Sequence, residues 1–102
     1  MAFETKKTNK ELISRATSIF KLLSDNDRLK IVNLLTDQSL NVGTIAEKIG
    51  KEQSATSHQL KLLYDGNLLK KKRQGKSIYY TLADQHVANI INQVMTHADE
   101  GE

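Results

Sequence analysis

A chain of 102 residues carries 15 Lys and Arg against 12 Asp and Glu, a formal charge of +3, and 38% of its residues are hydrophobic. That length sets a single small domain whose core is short of apolar surface unless a second copy adds to it. The lack of cysteine excludes disulfides, thiolate metal sites and thiol redox chemistry, and no apolar run approaches the roughly 18 residues of a membrane span.

Residues 1–8 are polar and charged, with no apolar core of a signal peptide, and are expected to be a flexible N-terminus ahead of a domain at 9–100. The chain is accordingly expected to be soluble and cytoplasmic, with no membrane partner. From Asn9 to Leu23, Ile13, Ala16, Ile19, Phe20 and Leu23 recur at three- and four-residue steps, which predicts an amphipathic helix. Ser24–Asp27 supplies a break and capping side chains for a second, buried helix over about Asp27–Leu35. Leu40-Asn41-Val42 suits a short extended piece. Val42, Ile45, Ala46 and Ile49 then mark a brief helix that stops at Gly50, a residue free to take the left-handed cap conformation. A fourth helix runs from Gln53 or Ser54 to Tyr64, so that two short helices meet across a tight turn. Leu68–Arg73 and Ser77–Leu82 flank Gln74-Gly75-Lys76 and predict a β-hairpin with a basic tip. A last helix over about Asp84–Ala98 carries an apolar stripe of Val87, Ile90, Ile91, Val94, Met95 and Ala98.

The two ends of that last helix carry Asp84-x-His86 and His97-x-x-Glu100. Eleven positions of helix put the two imidazoles within roughly 20° of one another but about 16 Å apart, so they share a face and cannot share a metal. An antiparallel second copy would bring His97 and Glu100 of one chain beside Asp84 and His86 of the other. Asp84 lies about 200° from His86 on a regular helix and joins it only from outside the N-terminus. The alternative is that Asp84 is an N-cap and Glu100 a solvated tail residue. Two imidazoles and two carboxylates without sulfur suit tetrahedral Zn(II), with Co(II) as a substitute, and a closed four-ligand site leaves no position for hydrolytic water. No other group of residues resembles an active site, and the chain is not read as an enzyme.

A helix-turn-helix followed by a basic hairpin is the winged-helix arrangement, in which one helix enters the major groove and the hairpin tracks the backbone or minor groove. Gln53, Ser54, Thr56, Ser57, Gln59 and Lys61 supply short or amide-bearing groups for base edges and phosphates, and Arg73, Gln74 and Lys76 supply the wing. His58 has no ligand partner at a useful spacing and reads as a packing histidine or a phosphate contact within the same surface. Against this, serine and threonine at a helix start are ordinary caps, and lysines often only protect an edge strand.

Residues 53–63, Gln-Ser-Ala-Thr-Ser-His-Gln-Leu-Lys-Leu-Leu, with Arg73-Gln74-Gly75-Lys76 and Tyr79-Tyr80-Thr81-Leu82, resemble the recognition helix and wing of the ArsR/SmtB metal-sensing repressors. The resemblance covers about residues 10–100. It implies a mainly α fold with a β-hairpin wing, a winged helix-turn-helix that forms a homodimer through its terminal helices and binds double-stranded operator DNA with an inverted repeat. The thiolate positions of such sensors are Asn41 and Gly43 here, so that site is missing. Asp84, His86, His97 and Glu100 match the site on the last helix of the zinc sensors. Glu52 departs from the small polar residue common in relatives, and would repel a nearby phosphate. The resemblance implies a repressor released from DNA when zinc binds between subunits. The alternatives are a winged-helix repressor that does not sense metal, and a metal-buffering interaction protein.

Overall fold

The computed structural model describes residues 7–101, so the expectation of a flexible terminus lies outside the described residues except at Lys7 and Thr8. Thr8 is part of a helix cap: its hydroxyl accepts the Glu11 N–H at 3.1 Å and starts α1, Asn9–Leu23. Asp25 does the same for α2, Asn26–Leu34, by accepting the Arg28 N–H at 3.0 Å. A two-residue strand β1, Leu40–Asn41, leads directly into α3, Val42–Ile49, whose N-cap Asn41 accepts from the Thr44 N–H at 2.9 Å. Gly50 ends α3 at φ 70°, the left-handed conformation that glycine reaches without a Cβ penalty. After a turn, α4 runs Gln53–Asp65, followed by β2, Leu69–Gln74, β3, Ser77–Leu82, and α5, Gln85–Glu100. The sequence-based boundaries hold to within about two residues, and Asp84 proves to be the cap of α5 rather than its first residue.

The sheet is antiparallel in the order β1-β3-β2, with Leu69 opposite Leu82 at the base of the hairpin and Gln74 opposite Ser77 at its tip. β2 is therefore an open edge. α2 and the helix-turn-helix pack around one core of Ile31, Val32, Leu35, Ile45, Leu60 and Leu63, closed from below by Leu68, Leu69 and Leu82 and on one side by Val87, Ala88 and Ile91 of α5.

α1 fits this core only along one edge. It has no buried residue; Ile19, Leu22 and Leu23 lean on the core while Leu12, Ile13 and Phe20 face outward, Phe20 at 64% exposure. Ile90, Val94 and Met95 of α5 are exposed as well, and nothing in α5 beyond Ile91 is buried. The Cα radius of gyration is 15.4 Å, against the about 13 Å of a compact domain of this length. Each of the two terminal helices presents an apolar face that its own chain leaves uncovered.

Candidate nucleic-acid interface and metal centre

The register of α4 decides which of its polar residues reach solvent. Leu60 and Leu63 point into the core, and the residue four positions before Leu60 must point with them. That residue is Thr56, which is 0% exposed and donates its hydroxyl to the Glu52 carbonyl at 2.9 Å. The expectation that Thr56 contacts DNA is thereby corrected: its side chain is a buried, self-satisfied part of the helix. Gln53, Ser54, Ser57 and His58 do lie on the exposed face, and His58 is a surface residue rather than a packing one.

Gln59 is half-buried and already bonded within the chain. Its Oε1 accepts from Arg28 Nη1 at 2.9 Å and its Nε2 faces Asp25 Oδ2 at 3.5 Å. Lys61 is on the surface but ion-paired to Asp65 one turn on, at 2.8 Å; the Asp65 hydrogen bond and charge hold its ammonium above the ordinary lysine range. Glu52 caps α4 without a side-chain hydrogen bond, leaving its carboxylate at the leading edge of the helix.

The wing lies beside this face. Arg73, Gln74 and Lys76 are exposed around the turn at Gly75 and Lys76. Lys71 is instead committed to α4: its ammonium sits 4.2 Å from the Tyr64 ring centroid, a cation–π contact that ties the edge strand to the end of the helix. Asn41, Gln53, Ser57 and Lys76, together with Val42, Ile78 and Tyr80, line one open cleft between the helix-turn-helix and the wing, so helix and wing border the same mixed polar and apolar surface.

At the two ends of α5 the two ligand clusters remain apart. His86 Nδ1 lies 3.6 Å from Asp84 Oδ1, and His97 Nδ1 lies 4.0 Å from Glu100 Oε1, with both imidazoles 92% exposed. Among the described residues no three donors converge within the chain. Each end of α5 thus offers one imidazole and one carboxylate. Asp84 sits outside the helix with extended backbone, where it caps the Val87 N–H at 3.0 Å and still faces His86. A cleft of about 350 Å³ next to this end is lined by Arg15, Leu22, Gly66, Asn67, Asp84 and His86, so the end of α4 and the start of α5 share it with α1. The approach is close: a Cβ on Gly66 would collide with the Leu22 side chain. Sequence reasoning did not single out Arg28, the residue that links α1, α2 and α4; the signal available was its place three residues after the capping Asp25.

Residues 25–71 match the family described as bacterial regulatory protein, arsR family. The chain is 39% identical over 83 residues to a transcriptional repressor SmtB homolog of Synechocystis sp., covering 81% of this chain and 63% of that protein's length. It is 38% identical over 86 residues to the HTH-type transcriptional regulator NmtR of Mycobacterium tuberculosis, covering 84% of this chain and 72% of that regulator. A homodimeric winged helix-turn-helix DNA-binding domain from Mycobacterium bovis superposes with a TM-score of 0.84 at 30% identity, over 98% of this chain and 92% of that one.

Proposed function

Because the chain belongs to the arsR family of bacterial regulatory proteins, we propose that it is a transcriptional repressor that binds double-stranded operator DNA as a homodimer and leaves it when zinc binds between the subunits. The observation that carries the DNA reading is the cleft in which Gln53 and Ser57 of α4 face Lys76 of the wing, with Ser54 and His58 exposed on the same helix and Arg73 and Gln74 exposed on the same hairpin. Its shape and chemistry suit a helix in the major groove flanked by phosphate contacts.

The homodimer is supported by the uncovered apolar faces of α1 and α5 and by the homodimeric state of the Mycobacterium bovis relative. A twofold axis explains an interface made of one repeated patch, and it sets two recognition helices against the two halves of an inverted repeat. Zinc fits the donors present. Asp84 and His86 of one subunit with His97 and Glu100 of the other give two nitrogen and two oxygen ligands, unobstructed and without sulfur. Bound there, the metal supplies a cross-link between subunits, and the sign of its effect on DNA follows from the family resemblance.

The test is a fluorescence-anisotropy titration of the protein on the duplex upstream of its own gene, with and without zinc. Tight binding weakened by zinc is expected. Zinc-indifferent binding would leave a repressor that does not sense this metal, and a protein that binds zinc but no DNA would overturn the reading.

A further inference from the structure

The exposed face of α4 accounts for DNA contact without Gln59, and Gln59 has a different set of partners. Arg28, with its side chain only 17% exposed, donates from Nε to the Leu22 carbonyl at 2.7 Å and from Nη1 to Gln59 Oε1 at 2.9 Å. Asp25 closes the ring: its Oδ2 accepts the Arg28 N–H at 3.0 Å, lies 4.0 Å from Arg28 Nη1, and faces Gln59 Nε2 at 3.5 Å. One guanidinium therefore joins the last turn of α1, the cap of α2 and the middle of α4.

We infer that Gln59 is a positioning residue, and that the Asp25–Arg28–Gln59 ring is the joint through which the attitude of α1 sets the attitude of the recognition helix. Three observations carry this. Both polar ends of the Gln59 amide are used inside the chain, so a bidentate contact to adenine would require breaking both. The Arg28 fork holds two acceptors on different helices in fixed directions, which a flexible point charge would not do. And α1 has no buried residue of its own, so its orientation is open to whatever covers its outward face. The inference rests on the DNA-binding reading for its consequence, though not for its geometry.

The experiment compares Gln59→Met, Arg28→Lys and the double variant, using a duplex selected from a random-sequence library by the unaltered protein, together with every single-base change in it. Each single variant is expected to weaken binding on the order of tenfold, the scale of hydrogen bonds to a charged group. The double variant is expected to be little weaker than either, since the two substitutions break one joint. The ranking of bases at every position should stay as it was. A changed ranking at one position, or losses that multiply in the double variant, would overturn the inference and make Gln59 a base-reading residue.

Amide hydrogen exchange of Gln59→Met supplies the readout that a general loss of stability would not give. Faster exchange confined to His58–Leu62 and the last turn of α1, with Ile31 and Ile45 unchanged, is expected; an equal rise in all of them would overturn the positioning role. Should the library yield no preferred duplex, the DNA reading falls by itself and the exchange data still decide the joint.

Discussion

Thr56 and Ser57 are adjacent and chemically alike, yet the helix turns one hydroxyl into the core and the other to solvent. Thr56→Val is expected to leave DNA affinity within about twofold, because the hydroxyl lost serves only the Glu52 carbonyl, and to change stability by about 1 kcal/mol or less. Ser57→Ala is expected to lower affinity for the preferred duplex while leaving melting unchanged; competitive binding and thermal denaturation of the two variants distinguish the cases. Arg73→Ala should weaken all duplexes alike and reduce the salt slope by about one unit, as for a phosphate contact. The burial of Thr56 was legible in principle, since Thr56, Leu60 and Leu63 follow the spacing of a core stripe, but a polar residue in an apolar phase is easily assigned to the polar face. The partners of Gln59 were not legible, because Asp25 and Arg28 lie more than thirty residues away in the chain.

At the scale of elements the sequence was more transparent, because helix boundaries are set by local chemistry. Thr8, Asp25, Asn41 and Asp84 each place a side-chain oxygen on an N–H three residues on, and each marks a helix start. Gly50 marks an end for a different reason, and Gly50→Ala is expected to cost about 1 kcal/mol, read by denaturant unfolding, since a Cβ meets no neighbour there and only the φ of 70° resists it. The apolar stripe of α5 was also visible in the sequence. What periodicity did not show was that the stripe serves two surfaces: Val87, Ala88 and Ile91 face the domain's own core, and Ile90, Val94 and Met95 face away from it. A helical pattern reports how wide an apolar face is, not how many partners divide it.

For the whole molecule, the two half-sets of ligands on α5 predict two zinc ions per dimer and none bound tightly by a monomer. Co(II) should give the intense visible bands of a tetrahedral site, and His97→Ala should abolish them at both sites. Since imidazole must shed its proton to ligate, zinc affinity is expected to fall as solutions are acidified, measured by competition with a chelator. Reciprocity then binds the two activities: whatever factor zinc takes from operator affinity, operator must take from zinc affinity, and paired titrations check it.

The outward face of α1 has a consequence for dosage. A helix with no fully buried residue, resting on its own core only through Ile19, Leu22 and Leu23, would gain much of its hold from the association of two chains, so the proposed dimer on an inverted repeat would be scarce whenever protomers are scarce. Below the dissociation constant of the pair, operator occupancy should climb with about the square of total protein, and above it only in proportion. Promoter silencing would then carry a threshold in copy number, set by Leu12, Ile13, Phe20 and their counterparts on α5 rather than by any residue that touches a base.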